Sequence, residues 1–327
     1  MKNTITSLLC LSLTGAASAS DLTVNPTERP STNRTEAARF DDGRTRFTIT
    51  VNGEIDVQHR IMSVSVLPGE ALTFEVPAGV SLRTARPVTR GVGQDVNWIA
   101  PDTPGHHIVT ATAADGETIT LNVFVLRPAS DIENGVLGEY RIGEYPDAPY
   151  RGLDAYRAPR GFIEVTPDMV SIEIAPHFTL GQFLCKQEGD WPRYAVIQER
   201  LLIKLERILA EVNQAGWRAD SFVMMSGYRT PAYNAGIGNG RHSRHVYGGA
   251  ADIYIDEDGN GVMDDLNGDG LLNRDDAAIL YDFINDLLTR SDWQDFHGGL
   301  GEYGSTSAHG PFVHVDERGW NARWGRS

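Results

Sequence analysis

The chain is poor in cysteine, in basic charge and in long apolar runs. Of its two cysteines, Cys10 falls in a segment read below as removed on export. That leaves Cys185 alone and excludes an intramolecular disulfide, so stability must come from packing and from bound ions. The setting Phe183-Leu184-Cys185 is apolar and marks Cys185 as a small buried hydrophobe rather than a nucleophile. Lys and Arg number 29 against 44 Asp and Glu, a formal charge of −15. No basic stripe is present to neutralise phosphates, which argues against a nucleic-acid partner. After the N-terminal run, no stretch approaches the roughly 20 apolar residues of a spanning helix, so no membrane span is expected in the mature chain.

The N-terminus has the layout of an export signal: Lys2 supplies positive charge, Ile5 to Leu13 an apolar run, and Ala17-Ser18-Ala19 a small-residue cleavage site. Residues 1–19 are therefore read as a signal peptide, and the protein as exported, periplasmic or extracellular and associated with the cell wall. Cys10 lies inside the apolar run with Leu9 before it, which does not fit a lipid-attachment site.

A chain of 327 residues is long enough for two hydrophobic cores. From Phe47 to Leu126 the pattern has period two, as in Phe47, Ile49 and Val51, then Met62, Val64 and Val66, then Leu72, Phe74 and Val76, then Ile119, Leu121, Val123 and Val125. Asn52-Gly53, Pro68-Gly69, Pro104-Gly105 and Asp115-Gly116 punctuate these runs as turns. With Trp98 as a core aromatic, residues 20–128 read as an all-β immunoglobulin-like sandwich. Residues 129–167 form a Gly-, Pro- and Tyr-bearing connecting segment. In residues 168–327 the period changes: Ile197, Leu201, Leu205, Ile208 and Val212 mark one helix, ended by Gly216, and Leu280, Phe283, Ile284 and Leu287 a second from about Asp275 to Thr289. Strand-like runs at Phe222 to Met225, Asp252 to Ile255 and Phe312 to Val315 make this part α+β. No internal repeat is evident.

His245 and Asp252 stand seven residues apart with Gly248, Gly249, Ala250 and Ala251 between them, small residues that permit a tight path bringing both to one ion. Phe312-Val313-His314-Val315-Asp316 alternates, so His314 and Asp316 share a strand face. Two histidines and one carboxylate leave a fourth position for water, the arrangement of a catalytic zinc site.

These residues lie in a recognisable text. Ser243, His245, Gly248, Ala250 and Asp252 resemble the S-x-H-x-x-G-x-A-x-D motif of the M15-type D-alanyl-D-alanine metallopeptidases of the LAS superfamily. Ser226-Gly227-Tyr228-Arg229-Thr230 with Asn234 is similar to their S-G-Y-R-T segment, and Gly298 to Gly301 followed by Phe312 to Asp316 to their C-terminal segment. The resemblance runs from about Ser171 to Trp324. It implies the fold shared by vancomycin-resistance dipeptidases and the Hedgehog signalling domain, with His245, Asp252 and His314 as zinc ligands and the Arg229 guanidinium facing the scissile peptide. Physically, a fixed cation there could hold a substrate carboxylate or stabilise an oxyanion. Ser226 and Ser243 read as supporting hydrogen bonders. The chain departs from the E-x-x-H pattern of many relatives, because Pro311 occupies the glutamate position. His309, which resembles the first histidine of an H-x-x-H-x-H arrangement, is the general base of choice, with Asp316 and Glu302 as rivals.

Between Asp256 and Asp276 eight acidic residues face one base, Arg274. Asp265, Asn267, Asp269, Leu271 (through its carbonyl), Asn273 and Asp276 fit a calcium loop, with Gly270 at the sharp turn and a helix following. Asp256, Asp258, Asn260 and Asp264 begin a second frame of the same kind. Together these readings give a zinc-dependent hydrolase of peptidoglycan stem peptides or cross-links, stiffened by calcium. The alternatives are a zinc-containing wall-binding protein without catalysis and a calcium-dependent wall-adhesion module.

Overall fold

The structure, a computed structural model, describes residues 40–91 and 95–326; the expected signal peptide lies outside them. The protein mixes α and β, with far more sheet than helix. The first nine strands are β1 (Arg44–Val51), β2 (Ile55–His59), β3 (Ile61–Val66), β4 (Ala71–Glu75), β5 (Ser81–Thr84), β6 (Val88–Arg90), β7 (Val96–Ile99), β8 (Gly105–Thr112) and β9 (Thr118–Val125). They form a five-stranded sheet in the order β2-β1-β4-β7-β6 and a four-stranded sheet in the order β3-β9-β8-β5. The alternation seen in the sequence becomes burial: Ile49, Val51, Leu72, Phe74 and Trp98 from the first sheet and Val64, Leu121 and Val123 from the second are all buried. Asp115-Gly116 closes the β8–β9 hairpin, whose strands pair antiparallel from Gly105↔Val125 to Thr112↔Thr118. β3 runs parallel to β9.

The apolar cluster does not stop at residue 128. It continues through Phe162, Val165, Ile174 and Phe178 into the two long helices, and polar contacts cross with it. The Ser65 N–H donates to Glu199 at 3.1 Å, and Asn122 Nδ2 donates to the Glu173 carbonyl at 2.7 Å. The segment before the helices is not featureless. Gly161–Val165 pairs with Arg193–Ala195, and the Tyr145 hydroxyl donates to the Val246 carbonyl at 2.8 Å.

Helix α1 (Glu199–Gln214) buries Leu201, Leu205, Ile208 and Val212. Gly216 follows it at φ +93°, a left-handed ending that glycine adopts without strain. α2 (Pro231–Gly236) is short; the Thr230 hydroxyl caps it by accepting from Tyr233 N–H. α3 (Arg274–Leu287) begins at Asn273 with a reciprocal cap in which Asp276 takes part. The element that positions the site is a second five-stranded sheet, in the order Val223–Ser226, Ala250–Tyr254, Phe312–Asp316, Gly299–Tyr303, Ala322–Trp324. Its register pairs Ser226 with Asp252, Asp252 with His314, His314 with Gly301, and Gly301 with Trp324. One row across the sheet thus collects residues from five distant parts of the sequence.

Candidate metal centre

His245 joins this row from outside the sheet. It sits in the short turn Arg244–Tyr247, which ends at Gly248 with φ +67°. A β-carbon at Gly248 would stand 2.3 Å from the Val196 carbonyl oxygen, so the glycine is required twice, by backbone conformation and by space. His245 Nε2 lies 3.2 Å from Asp252 Oδ1 and 3.1 Å from His314 Nδ1, and His314 Nδ1 lies 2.8 Å from the same Asp252 oxygen. The three side chains are buried, at 2, 3 and 6 % exposure for His245, Asp252 and His314.

The other atoms of each group are held by the protein. His245 Nδ1 is 2.7 Å from the Gly227 carbonyl, which can only accept, so Nδ1 carries the proton and Nε2 a lone pair. His314 Nε2 faces Asp316 Oδ2 at 3.1 Å. That carboxylate accepts, so His314 Nδ1 also presents a lone pair. Asp252 Oδ2 accepts from Arg229 Nη2, leaving Oδ1 to the two rings. Three lone-pair donors converging in this way repel one another unless a cation lies between them, and two imidazoles with a carboxylate suit zinc. The residues fit the metal.

The three groups titrate differently without a cation between them. Burial would raise the Asp252 carboxyl, but the His245 and His314 rings bonded to it hold it well below the carboxylate range. Burial, with the Arg229 and His314 charges, lowers His245 against the pull of Asp252. For His314, burial is overcome by bonds to Asp252 and Asp316, and its pKa is raised.

Asp316 is wholly buried. It accepts the Gly299 N–H at 2.7 Å and two bonds from the Arg318 guanidinium, one at 2.9 Å and one at 2.5 Å. The buried Lys204 fixes the same residue by donating to its carbonyl oxygen at 2.6 Å; burial brings this ammonium down to about 8, against the pull of Asp316 and Glu317. Asp316 therefore stands behind His314 as an orienting group, with its carboxylate oxygens also taken up by Gly299 N–H and the Arg318 guanidinium. Glu302, the other rival, is buried in ion pairs with Arg274 at 2.6 Å and Arg326 at 2.9 Å.

The triad opens into a cleft of about 550 Å³ whose lining includes Lys186, Met225, Arg229, Tyr303, His309, Phe312, Arg318 and Trp324. His309 Nδ1 is 2.8 Å from the Gly310 carbonyl, which fixes the proton there and leaves Nε2 able to accept one. Its ring meets Phe312 edge-on at 5.0 Å. Arg229, expected to face the peptide, is tied to Asp252 and donates from Nε to Ser226 Oγ at 2.7 Å. Lys186, Tyr303, Arg318 and Trp324 escaped the sequence reading. Trp324 packs on His314 at 5.0 Å and donates to the Tyr303 hydroxyl at 2.8 Å. Its place depends on Gly301, where a β-carbon would lie 2.3 Å from the indole nitrogen, a signal readable only once the register is known.

Residues 176–265 match the family model described as Peptidase M15. This segment belongs to the M15 peptidase family. M15 peptidases are zinc-dependent, and the His245-Asp252-His314 group can hold a metal. The M15 match includes His245 and Asp252 and ends before His314, which the sheet register supplies. No curated protein matches the chain significantly. Among the described residues, no helix is long and apolar enough to cross a membrane.

The acidic insertion inside and beyond the M15 segment makes two turns of the same build at the two frames noted in the sequence. Asp256 accepts from Asn260 and Gly261 N–H at 3.0 and 2.8 Å, and nine residues on Asp265 accepts from Asp269 and Gly270 N–H at 3.2 and 2.7 Å. Gly261 and Gly270 have φ +85° and +82°. Asp256, Asp258 and Asp264 bring carboxylate oxygens within ligand spacing; among the described residues Asp265, Asp269 and Asp276 form no such group. Asp276, expected as the last ligand of the second loop, instead caps α3. It is wholly buried, and its oxygens accept from Leu266 N–H at 2.9 Å and Asn273 N–H at 2.8 Å.

Proposed function

We propose that this protein is an exported zinc peptidase that hydrolyses peptide bonds in peptidoglycan stem peptides or cross-links. The observation that carries the reading is the convergence of three lone-pair donors whose remaining atoms are all held by the protein, inside a cleft large enough for a short peptide. The chemistry zinc supplies when bound there is Lewis acidity toward water and a peptide carbonyl.

The chain's own residues do the rest. His309 accepts a proton at Nε2 and returns it to the leaving amine, a role that its Nδ1 bond to Gly310 prepares. Arg229 holds Asp252 in a one-oxygen pose and sets a cation at the cleft wall, where an oxyanion would form. Asp316 keeps His314 in the tautomer that ligates. Peptides with D-amino acids follow from the family resemblance. In the same reading the two N-terminal sheets are an immunoglobulin-like sandwich, residues 168–327 the peptidase domain, and the acidic turns hold calcium.

Pro311 in place of a glutamate supports a second reading, a zinc protein that binds wall peptides without cutting them. Mature protein loaded with zinc, incubated with muropeptides with and without chelator, separates the two by mass spectrometry. Shortened peptides that disappear on chelation support the peptidase; intact muropeptides in every sample would leave the binding protein.

A further inference from the structure

Four lysine and arginine side chains line the cleft: Lys186, Arg229, Arg244 and Arg318. Three are already neutralised by the protein. Arg229 is paired with Asp252, Arg244 with Glu317 at 2.5 Å, and Arg318 with Asp316 at 2.5 Å. Lys186 differs. Its contact is with the Met225 sulfur at 3.8 Å, and among the described residues no carboxylate lies within ion-pair distance of it. The one carboxylate of the cleft lining, Asp252, belongs to the metal triad.

The position of Lys186 gives the cleft a direction. Met225 lies on the edge strand Val223–Ser226, on one side of the Asp252–His314 row, and Trp324 on the opposite edge strand. The triad thus has an uncompensated ammonium on the side of the Val223–Ser226 edge and Tyr303 and Trp324 on the other, with Phe312 of the His314 strand packed against Tyr303. Tyr303 and Phe312 stack at 4.6 Å, which makes that wall flat and apolar. A peptide lying across the row finds an uncompensated charge at one end only, since Arg318, which lies over Trp324 at the other, is paired with Asp316.

We infer that Lys186 is the specificity residue of the cleft, and that it binds a carboxylate of the peptide substrate close to the scissile bond. This rests on the peptidase reading above. The carboxylate could be the free C-terminus, which makes the protein a carboxypeptidase, or an acidic side chain within a stem peptide. Both place an anion against the ammonium. The ammonium lies below its ordinary range, through partial desolvation and then the neighbouring Arg229 charge, with Asp252 opposing; an arriving carboxylate relieves that strain.

The test uses the zinc-loaded full chain, wild type against Lys186→Met and Lys186→Arg. The substrates are an acylated D-alanyl-D-alanine, its C-terminal amide, and an amide-capped peptide with an acidic side chain next to the cleaved bond. Wild type should favour one carboxylate-bearing substrate over the plain amide by about 5-fold or more in kcat/KM, chiefly through KM, as expected of a half-exposed charge pair. Lys186→Met should bring that ratio toward one, and Lys186→Arg should restore part of it. Whichever acid loses its advantage names the source of the carboxylate. Calorimetric binding of the same three peptides to chelator-stripped protein provides a readout independent of turnover. If the wild type cuts all three peptides and Lys186→Met leaves the ratios unchanged, Lys186 has no such role while the peptidase stands. If nothing is cut but the acid binds in a Lys186-dependent way, the anion site stands and the peptidase reading falls.

Discussion

The metal centre and the acidic turns both gather potential ligands, and they differ in where the remaining atoms of those ligands go. At the centre, Gly227, Asp316 and Arg229 engage the far sides of His245, His314 and Asp252, leaving one lone pair from each for a common point. In the turns, carboxylate oxygens already accept backbone N–H groups, as Asp256 does from Asn260 and Gly261. The centre is buried between strands; Asp258 in the turns is exposed. A buried set without its cation is costly, because the desolvated donors repel. An exposed set is relieved by water and salt. Residue types alone rank the turns above the centre as a cation trap, since they hold more carboxylates, while the supporting bonds reverse the order.

The largest effects should therefore come from the centre. His245→Ala, Asp252→Ala and His314→Ala are each expected to take zinc from one per chain to none after dialysis, read by elemental analysis, because two protein ligands do not hold zinc tightly. A variant keeping full metal and activity would remove that residue from the set. Protons should compete for the same site. Asp252 and His245 both have lowered pKa values and stay unprotonated near neutrality, whereas His314 is raised above 6.5. Its protonated form is favoured below that raised value, so zinc affinity should fall as pH drops through it, by about 10-fold per unit for one competing proton. Affinity flat from pH 8 to pH 6 would mean that His314 is not a ligand.

Next come the two residues whose roles the sequence left open. His309→Ala should keep its zinc and lose about 100-fold or more in turnover, the usual loss when a general base is removed. Asp316→Asn should instead weaken zinc binding by roughly 10- to 100-fold, since it releases the ring of a ligand. If Asp316→Asn kept wild-type zinc affinity and lost turnover while His309→Ala stayed active, the two assignments would exchange places.

Much of this was legible before the structure, for physical reasons. Period-two burial in Ile49 and Val51, and the 3.6-residue stripe of α1, are forced by having one apolar face. His245 and Asp252 were readable because small residues lie between them. Lys186 and Trp324 were not. They enter the site through strand order and a close approach at Gly301, neither of which leaves a local spacing. Alternation with His314 places Asp316 on the site's face, yet alternation gives the face and not the partner; Arg318 and Gly299 decide that.

The smallest expected effect belongs to the turns, and it tests whether they bind anything. Eight acidic residues against one base between Asp256 and Asp276 repel one another, and calcium prefers such oxygen donors. Their carboxylates are partly used by the backbone, so binding should be weak and entropically cheap, because the turns already have their shape. Burial and the neighbouring Asp256 and Asp258 charges raise the Asp264 carboxyl against its bond from Glu257. A raised acid favours the protonated fold, so on this account alone stability declines as pH rises from the unfolded carboxylate range through the raised value, and a cation should offset the loss at neutral pH. Calcium that binds only the folded state adds roughly 2.7 kcal/mol at a hundred times its Kd. The melting temperature of zinc-loaded protein should therefore climb with millimolar calcium at pH 7.5, and respond little to magnesium. The geometry further ranks the two turns: Asp256→Ala/Asp258→Ala should lose more of the effect than Asp265→Ala/Asp269→Ala, because only the first brings three carboxylates within ligand spacing. Equal losses would put cations in both turns, and a melting curve indifferent to calcium would leave the pair as solvated turns held by their own backbone.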